Sequence, residues 1–237
     1  MKSFRQSTNP LLMLLLALSF LTVGCSSDSK DSDDDVPSIT VTEEDGSTSV
    51  DADVLDDILD ALPKDAISED ERAGLVFMRE EEKLARDVYI YLFAQWGQKV
   101  FDNISESEQS HTDAVLALLD RYDIPDPVGS NAEGVFEDSY LQGLYDSLIA
   151  SGSASLLDGL YAGAEIEELD IIDIQRLADE VVGNEDIVIV YENLIKGSRN
   201  HLRAFVSNIE KQAVIYQPRH LTQDAYDAII NEDFETD

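Results

Sequence analysis

Four segments of this chain carry apolar residues at alternating steps of three and four, and each stripe is broken near its middle by a residue foreign to an apolar core. The first runs Leu75, Met78, Glu82, Ala85, Tyr89, Leu92, Trp96, and the second Ile104, Glu108, His111, Val115, Leu118, Tyr122. The third runs Leu157, Leu160, Ala164, Glu167, Ile171, Ile174, Ala178, Val181, and the fourth Ile187, Leu194, Ser198, His201, Phe205. That period lays one face of a helix against a core, so the chain is committed to helices that bury carboxylates and imidazoles. Burying such groups bare is costly, and a shared metal ion is the commonest way of settling the cost. Glu108 and His111 also have the Glu-x-x-His spacing by which carboxylate-bridged metal sites take two ligands from one helix.

The levels of these interruptions follow from arithmetic. Two antiparallel helices bring residues to one height when both lie equally far from the turn between them. The midpoint of Glu82 and His111 falls between Trp96 and Gly97, and that of Glu167 and His201 falls at Asn184. Gly97 and Gly183-Asn184 are also the natural helix stops in their neighbourhoods. Helices are predicted at 69–96, 103–122, 138–150, 153–182 and 185–212, with no strand. Short connections at 97–102 and 183–184 demand antiparallel hairpins. The long stretch from Asp123 to Gly152 lets the second pair cross over the first and carries an extra helix. This all-α arrangement is the ferritin-like four-helix bundle with one long crossover.

The N-terminal part reads differently. Residues 1–24 hold Lys2 and Arg5, a leucine-rich run and Gly24, which is an export signal. Cys25, the only cysteine, sits where a bacterial lipoprotein is cleaved and lipidated, although Thr22 stands at the usual leucine position. An ordinary secretory signal with an incidental cysteine is the blander reading. The chain is thus expected in a bacterial cell envelope, held to a membrane through Cys25. Residues 25–67 read as an acidic Ser/Asp tether with a short amphipathic segment, disordered to about Ser49. The folded domain is expected over 68–232, opened by the capping-box spacing Ser68-x-x-Glu71.

With 50 acidic against 16 basic residues, a nucleic-acid role is excluded on electrostatic grounds. The expected partners are metal ions and the membrane, and a homodimer is compatible with such a chain. Glu80, Glu81 and Glu168 are assigned to solvated faces, and His220 to the surface. Tyr89, Tyr161 and Tyr191 read as core packing ahead of redox relays. Ser105-x-x-Glu108 also fits a capping box, which would make Glu108 a helix-start residue, and His201 alone would read as a satisfied core histidine.

Glu82-Lys83-Leu84-Ala85-Arg86-Asp87-Val88-Tyr89 and Glu108-Gln109-Ser110-His111 resemble the first two metal-ligand helices of rubrerythrins. The segments 78–87, Ile166-Glu167-Glu168-Leu169-Asp170-Ile171 and Gly197-Ser198-Arg199-Asn200-His201-Leu202-Arg203 more closely resemble an uncharacterised ferritin-like family, domain of unknown function 2202. The likeness spans roughly residues 70 to 230. It implies a four-helix bundle with a dinuclear iron or manganese site and supplies no substrate. The two-metal pattern takes a Glu-x-x-His from each of two helices, whereas the fourth helix here offers Ser198-x-x-His201. Asp170, three residues after Glu167, offers a replacement carboxylate; otherwise the site holds one metal tightly and a second weakly or not at all. The metal ligands expected are therefore Glu82, Glu108, His111, Glu167, Asp170 and His201, with Glu108 bridging. Redox chemistry with dioxygen or peroxide is the leading function. A non-catalytic metal-binding or envelope-interaction module on a partly degenerate site is the alternative.

Overall fold

The computed structural model describes residues 36–236. The expected export signal, Cys25 and the first part of the expected tether lie outside the described residues. Four long helices dominate: α2 (Glu69–Trp96), α3 (Lys99–Arg121), α5 (Leu156–Glu180) and α6 (Glu185–Glu210). They are joined by three shorter ones, α1 (Ala52–Ala61), α4 (Ser139–Gly152) and α7 (Gln223–Ile230). Helix α2 packs on α3 and α5, and α6 packs on α5 and α3, so each long helix touches two others. Helix α4, on the crossover, lies against α2 and α5. Among the described residues no helix is long and apolar enough to cross a membrane.

Local chemistry sets the helix ends. Ser68 and Glu71 form a reciprocal capping box at the start of α2, and Gly97 ends that helix with φ +65°, a conformation that costs glycine nothing. Helix α3 begins at Lys99, earlier than the predicted 103, which places Ser105 inside the helix with its hydroxyl on the Asp102 carbonyl. The capping-box reading of Glu108 therefore falls away.

Glu71 ties two helix ends together. One carboxylate oxygen accepts from the Ser68 amide, and the other from the Val182 amide and the Asn184 side chain in the α5–α6 turn. Burial alone would raise its pKa, but the bonds from Asn184, Ser68 and Val182 bring it down to about 2. Its stabilisation is present above the unfolded value of 4.5 and is lost as pH falls through about 2. Glu71→Ala should cost about 1–3 kcal/mol at neutral pH, measured by denaturant unfolding, and the gap from the parent should close toward pH 2.

Two expectations are corrected. The chain does contain strands, β1 (Thr40–Thr42) and β2 (Thr48–Val50), paired antiparallel with Thr42 opposite Thr48. The tether therefore does not reach Ser49. Ile39 and Val50 are buried, the Ile39 amide donates to Asn193, and the Val50 amide donates to Ser110. Beyond the last helix, Glu235 receives Arg199 and Arg203.

The supposed solvated carboxylates are the second correction. Glu80, Glu81 and Glu168 are all buried. Glu80 accepts the amides of Glu137 and Asp138 just ahead of α4. Glu168 accepts the Tyr216 hydroxyl and the amides of Arg219, His220 and Leu221. Connecting segments cover Glu80 and Glu168, which satisfy the backbone amides of those segments, whereas Glu81 Oε2 has no hydrogen-bond partner. On the same side of α2, Arg79 holds Asp126, and Lys83 pairs with Asp87 while donating to the carbonyls of Ala132 and Val135. Much of the 78–87 motif thus fastens the crossover. His220 is exposed, as expected, beside Glu165.

Candidate metal centre

The apolar interior is divided in two. One cluster contains Ala85, Tyr89, Leu92, Phe101, Ile104, Ala164 and Phe205, and the other Leu75, Met78, Val115, Leu118, Ile174 and Leu194. Glu82 lies between Met78 and Ala85, Glu108 and His111 between Ile104 and Val115, Glu167 between Ala164 and Ile174, and His201 between Leu194 and Phe205. The interruptions thus form one polar layer separating two apolar halves. Glu82, Glu108, His111, Glu167, Asp170 and His201 are each at most 1% exposed.

Glu108 sits between the two imidazoles. Its Oε2 is 3.0 Å from His111 Nδ1, and its Oε1 is 2.8 Å from His201 Nδ1. Glu82 Oε2 is 3.5 Å from His111 Nδ1, and Glu167 Oε2 is 3.6 Å from His201 Nδ1. The imidazole rings stack at 5.3 Å between centroids. Two half-sites result, each built from one histidine, one terminal glutamate and one oxygen of Glu108. The pairs Glu82–His111 and Glu167–His201 are those that share a turn midpoint.

These short distances are not hydrogen bonds. Eight buried side-chain atoms among the described residues have no hydrogen-bond partner: Glu81 Oε2, both oxygens of Glu82, Glu108 Oε1, His111 Nδ1, Glu167 Oε2, Asp170 Oδ2 and His201 Nδ1. All belong to this polar layer, whereas buried polar atoms elsewhere in folded proteins are paired almost without exception. Donors about 2.1 Å from a common ion and roughly 85–120° apart would stand about 2.8–3.6 Å from one another, which matches the four separations above. Among the described residues, Glu108, His111 and His201 bring one donor atom each within 4.8 Å of one another. The residues fit a metal.

The electrostatics agree. Burial alone would raise the Glu108 carboxyl, but His111 and His201 outweigh it and hold the group well below the usual carboxylate range. Burial pushes Glu82 up to about 7 despite His111. Glu167 is raised chiefly by burial. Asp170 is raised well above its ordinary value by burial and then by Glu81 and Glu82, and Glu81 by burial and then by Asp173 and Glu82. His111, which burial alone would lower, is raised by Glu108 and Glu82. Burial in the layer thus favours the uncharged form of Glu81, Glu82, Glu167 and Asp170.

Several contributors escape sequence reasoning. Thr48 of β2 reaches both histidines through its backbone: its carbonyl is 2.7 Å from His111 Nε2, and its amide donates to His201 Nε2 at 3.2 Å. No side-chain pattern announces a backbone contact. Tyr89 donates to Glu167 Oε1 at 2.5 Å, so it touches the site as well as the core. Gly197 is needed because a Cβ there would come within 2.6 Å of His111 Cε1. Ser198 turns back to the Leu194 carbonyl of its own helix, so it contributes no donor in place of the missing carboxylate.

Comparisons with known proteins agree on relatedness. A family model described as an uncharacterized protein domain, DUF2202, matches residues 71–233. The uncharacterized protein MJ0754 of the archaeon Methanocaldococcus jannaschii is 49% identical over 173 residues, spanning 73% of this chain and 93% of that protein. The crystal structure of the hypothetical protein MJ0754 superposes with a TM-score of 0.72, covering 73% of this chain and 99% of the other.

Proposed function

Because the chain belongs to the DUF2202 family of uncharacterized domains, whose matched segment contains the whole Glu/His layer, we propose that it is a ferritin-like metal-binding protein performing redox chemistry at an iron or manganese pair. The observation that carries this reading is the confinement of the unpartnered buried donor atoms to one layer. Glu82, His111 and one oxygen of Glu108 would hold one ion. Glu167, His201 and the other oxygen of Glu108 would hold the second, with Asp170 and Glu81 adding negative charge nearby. Iron or manganese bound there supplies electron exchange with dioxygen or peroxide. The protein's part is to fix the donors on rigid helices and to keep bulk water out. Tyr89 steadies Glu167 through its hydroxyl. Export and lipid anchoring at Cys25 belong to the same proposal and rest on the sequence.

Anaerobic protein loaded with ferrous or manganous ion should develop new absorption on exposure to dioxygen or hydrogen peroxide, recover with a reductant, and turn over repeatedly. Loaded protein that stays spectroscopically silent with both oxidants would favour the second reading, a non-catalytic metal-binding or envelope-interaction module. The inert orientation of Ser198 supports that second reading.

A further inference from the structure

The two half-sites have like donors but unlike supports, and the difference lies in one peptide group of the β-hairpin. A backbone carbonyl only accepts, so the 2.7 Å contact to Thr48 puts a proton on His111 Nε2 and leaves Nδ1 as the nitrogen that faces Glu82 and Glu108. A backbone amide only donates, so the bond from Thr48 N–H leaves the lone pair of His201 on Nε2 and its ring proton on Nδ1. A cation on His111 Nδ1 leaves that contact to the Thr48 carbonyl intact. One on His201 Nδ1 does not leave the bond from the Thr48 amide intact.

We infer that Thr48 is a positioning residue that makes the half-sites unequal, so that the His111 side fills first and the His201 side fills only when the Thr48 amide turns away. This rests on the metal-binding reading above. Ligation through His201 Nδ1 moves its ring proton to Nε2, with no net release, and that N–H then faces the Thr48 N–H head on. A backbone group that bonds the far ring nitrogen of a metal-binding histidine is a recognised control on metal affinity. Here one peptide supports one histidine and opposes the other.

The hairpin is fastened well enough to exert that control. Besides the bonds from Ile39 and Val50, Asn200 donates to Thr48 Oγ1 and to the Glu235 carbonyl, and Asn193 donates to the Pro37 carbonyl. Because the Thr48 amide and carbonyl both face the histidines, they point away from β1. Thr48→Pro therefore deletes the one amide without removing a ladder bond, as proline is tolerated on edge strands whose N–H faces outward.

The test has a metal-free and a metal-loaded arm. In chelated, ¹⁵N-histidine-labelled protein, NMR should find a proton on Nε2 of His111 and none on Nε2 of His201; the same Nε2 state in both would overturn the inference. In titrations with manganous ion followed by calorimetry and electron paramagnetic resonance, the parent should bind in two steps at least about tenfold apart. Thr48→Pro should strengthen the second step about tenfold or more. Thr48→Ala is the reference, since it loses the same hydroxyl but keeps the amide. A second step that is equal in Thr48→Pro and Thr48→Ala would overturn the inference. Hydrogen exchange at the Thr48 amide should quicken as the second ion binds, and unchanged exchange would count against it. If the parent binds no metal, the site reading fails, while the tautomer measurement still decides the role of Thr48.

Discussion

Chelator-treated protein is expected to be less stable at pH 8 than at pH 5, and Glu82→Gln is expected to remove much of that difference. Burial raises the Glu82 carboxyl to about 7 from an ordinary value of 4.5, so the folded chain holds a proton that the unfolded chain gives up. The sign follows by linkage. The destabilisation is absent below about pH 4.5, grows as the pH rises toward 7, and is complete above it, on the order of a few kcal/mol. Gln keeps the shape and carries no charge, so at pH 8 the metal-free variant should outlast the metal-free parent in urea, with the order vanishing near pH 4. Adding metal should reverse the ranking at pH 8, because an ion that binds only the folded chain stabilises it by about 2.7 kcal/mol at a hundred times its dissociation constant. Identical pH profiles for parent and variant without metal would remove Glu82 from the charged layer.

The second large effect is on metal content. Protein purified without chelator should carry one to two transition-metal ions per chain, as the notion of two half-sites requires, and His111→Ala should lose most of them. His111 Nδ1 faces both Glu82 and Glu108 and is held for ligation by the Thr48 carbonyl. Alanine removes the nitrogen donor and leaves a space beside Gly197. Elemental analysis giving the same content for variant and parent would exclude His111 as a ligand. Far-ultraviolet circular dichroism on the same samples separates loss of metal from loss of fold.

Much of the polar layer was legible because helical periodicity is strict. A glutamate at position 82 of a stripe that includes Met78 and Ala85 has one direction in which to point, and the turn at Gly97 fixes what it meets. The predicted long helices match α2, α3, α5 and α6 to within a few residues at their ends for the same reason. The misreadings have a common cause. Glu80 and Glu168 read as solvated because they lie off the apolar stripe, but a helix can be covered on a second side. The crossover lies over Glu80, and the segment leading into α7 lies over Glu168. Those carboxylates answer amides that no local pattern displays. The hairpin was missed because Thr40–Thr42 and Thr48–Val50 are too short and polar to read as strands. Side-chain caps from Asn193, Ser110 and Asn200 hold them in place beside the buried Ile39 and Val50.

The placement of β2 separates two kinds of inheritance. Every proposed ligand lies between Glu82 and His201, inside the segment that the family shares, and a fragment beginning at Ser68 would retain them all. The peptide that assigns a different tautomer to each histidine lies upstream, before α1, in a stretch whose side chains contribute nothing to the donor set. Drift, shortening or replacement of those few residues would leave the ligands untouched and still change which ion binds first and how tightly the second is held. In this architecture the identity of the ligands and the tuning of their affinities are written in different parts of the chain and are free to evolve at different rates.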